Sequence, residues 1–248
     1  MVQPFWRLRR SPGRADLQPL DATTIKLLYG RAIRAPDAYE QDYAASTVSS
    51  SPALTPEHIQ SYELVFEQQL DRHIRLTLDP YYNQISNLIT ASQFDPATGD
   101  AYYTNANSAY SRGIETEVEG QWAHGIRTRA SYTWQETRDG ATGAELTNSP
   151  RDLAKLNLLV PFFDDKVSLG LELQYTSSSR VSSTQKTHGY FVTNVTLYSH
   201  EILKNTELSL SIYNLFDAHY GYPASPVFLE PVLPAEGRSL RLKLTCSF

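Results

Sequence analysis

One cysteine and one methionine stand in 248 residues, and a single thiol cannot close an internal disulfide. There is no CxxC and no Cys/His cluster, so structural zinc and dithiol redox chemistry fall away. Long apolar runs are missing too: no window approaches the roughly 18 uninterrupted apolar residues of a membrane-crossing helix, and the mean hydropathy is −0.40. Basic blocks are absent. With 22 Lys+Arg against 27 Asp+Glu the formal net charge is −5, and nothing in that balance offers a phosphate-backbone footprint, so nucleic acid is not an expected partner. The sequence lacks a GxSxG elbow, a glycine-rich phosphate loop, HxH and HExxH. Its six histidines, His58, His73, His124, His188, His200 and His219, are scattered over expected turns and loops. No catalytic residue, cofactor or metal ligand is therefore expected.

What is present is apolar and aromatic enough, at 41% hydrophobic with 16 Tyr, to exclude a disordered chain. A helical membrane protein is excluded by the hydropathy. A membrane β-barrel is not, because half of each of its strands faces water. The start, residues 1–20, is basic but is not followed by an apolar stretch of about 7–15 residues, so it does not read as a secretory signal. Residues 1–22 are expected to be an unstructured or spurious segment ahead of the folded part, 23–248.

From Thr23 onward strict alternation dominates. In Val167-Ser168-Leu169-Gly170-Leu171-Glu172-Leu173-Gln174-Tyr175 the odd positions are apolar and the even ones small or polar, a period that fits a strand and not a helix. Ile114, Thr116, Val118 and Trp122 oppose Glu115, Glu117, Glu119 and Gln121; Leu240, Leu242, Leu244, Cys246 and Phe248 oppose Arg241, Lys243, Thr245 and Ser247. About ten strands follow from this reading, near 23–34, 59–70, 74–92, 100–122, 126–138, 150–161, 166–178, 187–199, 205–216 and 237–248. Their connections alternate between short and long, which places tight turns at one end and loops at the other, as in an outer-membrane barrel. Several strands exceed the roughly 9–11 residues that cross a bilayer. Tyr29, Tyr62, Tyr81, Tyr82, Trp122, Tyr132, Trp134, Tyr175, Tyr190 and Tyr198 lie toward strand ends, where rings form interfacial girdles. Pro80 dissents, since proline within a sheet belongs at an edge or a bulge.

The polar faces carry both signs on neighbouring strands, at Glu63, Glu67, Arg75, Asp79, Glu115, Glu117, Glu119, Arg127, Arg129, Lys155, Glu172, Arg241 and Lys243. Cross-strand pairs of this kind fix register and hydrate a lumen. Glu115, Glu117 and Glu119 line up along one wall; they do not converge as an acid/base site.

Five segments resemble TonB-dependent outer-membrane receptors. They are Lys26-Leu27-Leu28-Tyr29-Gly30 through Arg34-Ala35-Pro36 with Glu40; Leu54-Thr55-Pro56-Glu57 with Tyr62-Glu63; Gly113-Ile114-Glu115-Thr116-Glu117; Asn214-Leu215-Phe216-Asp217 with Tyr220; and Gly237-Arg238 leading to the terminal strand. The last of these, with Leu240, Leu242, Leu244 and Phe248, resembles the signal read by the barrel-assembly machinery. Ile33 and Cys246 depart from the family pattern. The resemblance implies an all-β transmembrane antiparallel barrel of about 22 strands with a plugged lumen, of which this chain would be about ten C-terminal strands without a plug domain. It implies uptake of a scarce nutrient such as a ferric siderophore or cobalamin across the outer membrane of a Gram-negative bacterium. The implied partners are outer-membrane lipid, the assembly machinery, the small-molecule ligand, and the TonB complex only through the missing plug region. Two other readings stand beside it. One is an autonomous small barrel, a passive pore or adhesin, which requires the strand near 24–33 to pair with that near 239–248; the other is a soluble β-sandwich.

Overall fold

The computed structural model describes residues 7–11, 13–43, 53–94, 101–105, 108–203, 205–224 and 229–247. In chain order the strands are β1 (Arg7–Ser11), β2 (Arg14–Leu20), β3 (Thr23–Arg34), β4 (Glu57–Gln69), β5 (Ile74–Ser86), β6 (Ile89–Phe94), β7 (Ala101–Asn105), β8 (Ser108–Gln121), β9 (Arg127–Asp139), β10 (Asp152–Phe162), β11 (Val167–Thr176), β12 (Tyr190–Leu203), β13 (Thr206–Tyr213), β14 (Gly221–Pro223), β15 (Val232–Pro234) and β16 (Ser239–Cys246). Twelve of them form one antiparallel meander, β1-β2-β3-β4-β5-β8-β9-β10-β11-β12-β13-β16, and two hairpin ribbons, β6-β7 and β14-β15, stand in its long loops.

All ten expected strands are present, with three differences. The sheet does not begin at Thr23: β1 and β2 lie within the stretch expected to be unstructured or spurious, and β2 pairs with β3. That stretch looked unlike a strand because Ala15 and Leu17 are its main apolar positions and Pro19 interrupts it. Pro19 falls inside the register shift between Leu17 and Leu20, where proline is tolerated. Second, the expected strands 74–92 and 100–122 each split, shedding β6 and β7 as a separate ribbon. Third, Pro80 is neither at an edge nor at a bulge. It sits in central β5, in register with Ile114, and the β4 ladder runs from Glu63–Tyr81 to Phe66–Leu78 without the two pairs between; the missing N–H explains the gap. Phe248 lies outside the described residues.

Continuous register fixes two faces, because successive side chains alternate. On one face Leu27 meets Leu64, Leu78 meets Thr116, Leu158 meets Leu171, Leu171 meets Val195, and Leu210 meets Leu242. This face has no protein partner: Leu27, Leu64, Ile114, Val118, Leu156, Leu197, Leu210 and Leu242 are exposed. The buried apolar residues Leu54, Ile89 and Ala109 belong to loops and strand ends. A soluble sandwich would bury the alternating face against a second sheet, and among the described residues none covers it. Hydrocarbon is the environment that satisfies such a surface.

Short turns gather at one end: 21–22, 70–73, 122–126, 163–166 and the turn at Asn205. His124, Gly125, Phe163, Asp164, Asp165 and Asn205 supply positive φ there, and the Asp71 carboxylate accepts from the His73 and Ile74 amides at 2.6 and 2.9 Å, an arrangement that closes the turn locally. The long connections, 35–56, 87–107, 140–151, 177–189 and 214–238, leave and rejoin the sheet at the other end.

Aromatic rings mark a level below the long loops. Tyr29, Tyr62 and Tyr82 are register partners, with ring centroids 5.1 and 6.4 Å apart. Farther along, Trp134 and Tyr132 on β9 continue the line to Tyr175 and Phe191, whose rings lie 4.6 Å apart. The Tyr82 row reaches β8 at Arg112 and the Tyr132 row reaches it at Thr116, so the aromatic line drops by four residues (116 − 112) along the ladder. Strands inclined to the bilayer produce this offset. Tyr81, Tyr190 and Tyr198, expected in the girdles, fall on the opposite, polar face by register with Gly113, Thr176 and Ser168.

Leu171→Arg, in the middle of the apolar face, is expected to cost about 2–4 kcal/mol of folding stability in a bilayer. Ser168→Arg on the polar face of the same strand should cost much less. Denaturant titration of both variants in lipid vesicles measures the difference; equal losses would contradict the assignment of faces.

Candidate functional site

The loop end of β3, β4 and β5 is tied by one guanidinium. Arg34, the last residue of β3, donates through Nε and Nη2 to both oxygens of Glu57 at 2.7 and 2.9 Å. It also donates through Nη1 and Nη2 to Glu40 at 3.0–3.1 Å. Glu40 is presented by a capping box: its carboxylate accepts from the Asp37 amide at 2.9 Å and its own amide donates to Asp37 Oδ1 at 2.8 Å, so a single helical turn, Tyr39–Tyr43, begins just past Pro36. Glu57 takes a third bond, from the Ile89 amide at 2.8 Å, which joins the β6-β7 ribbon to the lock. Asn105 completes the clamp by accepting from the Thr55 amide at 2.8 Å and donating to the carbonyls of Thr55 and Asn87. Motif residues separated in sequence thus meet at one point, with Pro36 and Pro56 at the loop boundaries. The carboxylates are nearly buried, at 6% exposure for Glu57 and 11% for Glu40, and the Arg34 guanidinium, with the Ile89 amide, holds the Glu57 carboxyl below the usual range.

Lower on the polar face, charge pairs cross the ladder as expected: Lys26 with Glu67, Arg75 with Glu119, and Arg129 with Glu117 at 2.7 Å. One group of carboxylates has no such partner among the described residues. Asp79 is directly opposite Glu115, shares a concavity with Glu63, Tyr81, Ser111 and Gln135, and its Oδ1 is buried without a hydrogen bond. Gly113 belongs to this wall for a steric reason. A Cβ there would stand 2.5 Å from the Trp134 carbonyl oxygen and 2.7 Å from the Tyr81 hydroxyl, so the glycine lets Tyr81 lie across the strand toward Gln135, 3.2 Å away.

At the other side of the sheet, the Asn214-Leu215-Phe216-Asp217 turn anchors the returning strand. Asn214 and Asp217 take positive φ; the Asn214 side chain exchanges hydrogen bonds with Ala218 at 2.8 and 2.9 Å; Asp217 Oδ1 accepts from the Arg238 amide at 2.8 Å. Gly237 leaves room for that carboxylate, which would otherwise lie 2.9 Å from its Cβ. Tyr220 stacks on Tyr190 at 4.1 Å and meets Tyr222 edge-on. Tyr29 belongs to the aromatic level instead, Phe216 is exposed, and Leu240, Leu242 and Leu244 line the apolar face of edge strand β16. Gly30 has no steric need to be glycine, since its nearest neighbour is 3.8 Å away.

Sequence reading missed Asp37, Ile89 and Asn105, and it placed Lys26 in a family segment without its pairing to Glu67. The spacing Asp37-x-x-Glu40 was a usable signal for the capping box; the others act through partners brought by the fold.

Removing the Arg34 side chain leaves two nearly buried carboxylates unpaired. Arg34→Ala is expected to loosen this end by about 1–3 kcal/mol, read as faster protease cleavage within 35–56. Because the folded Glu57 value is lowered, its contribution is full above the ordinary glutamate value and is lost as pH falls through the lowered one; cleavage of the parent chain should rise there, and that of Arg34→Ala should not. Asp79→Asn relieves opposed like charges and should raise stability by up to about 1 kcal/mol; a destabilised variant would mean that Asp79 has a cationic partner in the chain.

Residues 13–215 match the family model for TonB dependent receptor-like, beta-barrel. The chain is 28% identical over 213 residues to the vitamin B12 transporter BtuB of Vibrio cholerae, covering 81% of this chain and 33% of that protein. It is 29% identical over 126 residues to a ferric-pyoverdine receptor of Pseudomonas putida, covering 49% of this chain and 15% of that one. Among solved structures, the copper transporter OprC superposes with a TM-score of 0.76 at 19% identity, over 95% of this chain and 39% of that chain. The chain therefore spans about a third of the length of the curated B12 transporter.

Proposed function

The chain belongs to the TonB-dependent receptor family, through its β-barrel domain, and from that premise we propose that it forms a wall of an outer-membrane receptor that takes up a scarce nutrient such as a ferric siderophore or cobalamin. The family consists of transporters and receptors, not enzymes. The observation that carries the proposal is the register: one continuous ladder gives an uncovered apolar face and an ion-paired polar face, the division that a barrel wall between lipid and a wet lumen requires.

The polar face supports a filled lumen. Glu63, Asp79 and Glu115 present carboxylates without a cationic partner among the described residues, suited to a basic group from a lumen-filling plug. We assign ligand recognition to the loop end, to the connections 35–56 and 214–238, the second of which carries Tyr220, stacked on Tyr190, and Tyr222, edge-on to Tyr220. A free-standing pore is not favoured, because β3 pairs with β2 and β4, β16 pairs with β13, and no ladder joins the two ends of the sheet among the described residues.

The test exchanges the corresponding C-terminal part of the Vibrio cholerae B12 transporter for 13–247 of this chain and measures outer-membrane insertion and cobalamin uptake in cells. Insertion, with uptake retained or switched to a ferric siderophore, is the expected outcome. A chimera that accumulates in the soluble fraction, while the parent transporter inserts normally, would refute the membrane reading.

A further inference from the structure

Charged residues also occur on the lipid-facing side, where the alternation leaves little reason for them. Arg112 shares its row with Tyr82, and Glu136 shares it in turn with Arg112. By register both lie on the apolar face, one outward position beyond Ile114 and Trp134. On β9 the aromatic level is set by Trp134 and Tyr132, so this pair stands directly on its loop side. Tyr132 donates to Asp152 Oδ1 at 2.6 Å, which marks the same boundary between apolar and polar surface.

Around Glu136 the chain gathers arginines. Arg112 donates through Nε and Nη2 at 3.1 and 2.7 Å, Arg138 pairs with the other carboxylate oxygen and with the Gly143 carbonyl, and Arg151 Nη2 is 3.6 Å away. Glu145 pairs with Arg151 at 3.2 Å, and Arg180 reaches the Glu145 carbonyl at 3.4 Å. Four guanidiniums thus face Glu136 and Glu145, with Asp152 below engaged by Tyr132. Glu136 is 8% exposed, whereas Arg112 and Arg151 are 57% and 47% exposed. The carboxylate lies beneath and the cationic groups are presented outward.

We propose that this outward cluster of Arg112, Arg138 and Arg151 binds the phosphate of a phosphorylated membrane lipid in the leaflet on the loop side. Each guanidinium carries five N–H donors in a fork that matches phosphate oxygens, and Glu136 serves to hold the three forks in position. Trp134 and Tyr132, just below, give the acyl chains an aromatic surface at the depth where such chains begin. One ligand then spans both features, which a free phosphate ion does not. The proposal rests on the membrane reading above.

The full chain, purified from membranes in detergent, is loaded with diphosphoryl lipid A, with dephosphorylated lipid A, or with inorganic phosphate alone, and bound lipid is counted by native mass spectrometry. The parent chain should retain the phosphorylated lipid about tenfold more than the dephosphorylated one. Arg112→Gln/Arg151→Gln should lose that preference, and Arg112→Lys/Arg151→Lys should keep part of it; the lysine pair carries the comparison if the glutamine pair fails to fold. Equal retention of both lipids by the parent chain, or an unchanged preference in the glutamine pair, would overturn the site. Displacement of the lipid by inorganic phosphate would overturn the lipid assignment. Membrane placement is read separately from insertion into vesicles, so a chain that inserts but shows no phosphate preference refutes this site alone.

Discussion

Hydrocarbon offers no hydrogen bonds, so a strand that crosses it must satisfy every backbone group within its own sheet. The ladder from β2 to β16 meets that demand with two-sided pairing in each internal strand, and the other features follow from it. Once the pairing is continuous the register is fixed, and once the register is fixed each side chain is committed to lipid or lumen. A one-residue slip would move the leucines of β11 into the lumen and Glu172 into the bilayer. The inward ion pairs, Lys26–Glu67, Arg75–Glu119 and Arg129–Glu117, oppose such a slip, because each joins adjacent strands at one register. Their worth lies in specificity more than in stability, since they face water and gain little from Coulomb attraction.

At the loop end the constraint relaxes and side chains replace the ladder. Arg34 joins the end of β3, the turn at Glu40 and the start of β4, and through Glu57 it reaches the β6-β7 ribbon. A guanidinium suits this task better than an ammonium because its planar fork binds two carboxylates at once. Asn214 and Asp217 do the equivalent for β16 by a different device, a turn whose side chains replace backbone partners. Both anchors hold the bases of long connections, where a binding loop on a rigid scaffold takes its position.

Strands with clean alternation were legible from the residues alone: β11, with Leu169, Leu171 and Leu173 against Ser168, Gly170 and Glu172, has one stable reading. Less legible were segments where pairing, not burial, makes the strand. β1 and β2 offer few apolar positions, and β6 and β7 follow β5 and precede β8 without a break in composition. The site was legible as motifs but not as geometry. Arg34, Glu40 and Glu57 could be singled out from the sequence, yet their convergence depends on β3 pairing with β4, a contact between residues 23 positions apart (57 − 34). The outward cluster at Glu136 was missed for a related reason: alternation assigns charge to the lumen by default, and only the displaced aromatic level shows that Arg112 stands beyond the apolar band.

The same requirement that makes the ladder necessary makes its two ends unstable in lipid. Among the described residues β1 and β16 each have one paired and one unpaired side, and each backbone group left open in hydrocarbon costs several kcal/mol. β16 shows the consequence most plainly, with Leu240, Leu242 and Leu244 prepared for lipid and, among the described residues, an unpaired backbone edge beside them. Ion pairs, aromatic rings and loop anchors cannot offset a row of such losses, since a cross-strand pair contributes about 1 kcal/mol or less and a buried anchor about 1–3 kcal/mol. Both edges therefore need a backbone partner whenever this sheet spans a bilayer. The inward ion pairs and loop-end anchors therefore act on a wall whose standing in lipid is decided by its backbone pairing, and within that condition they select its register.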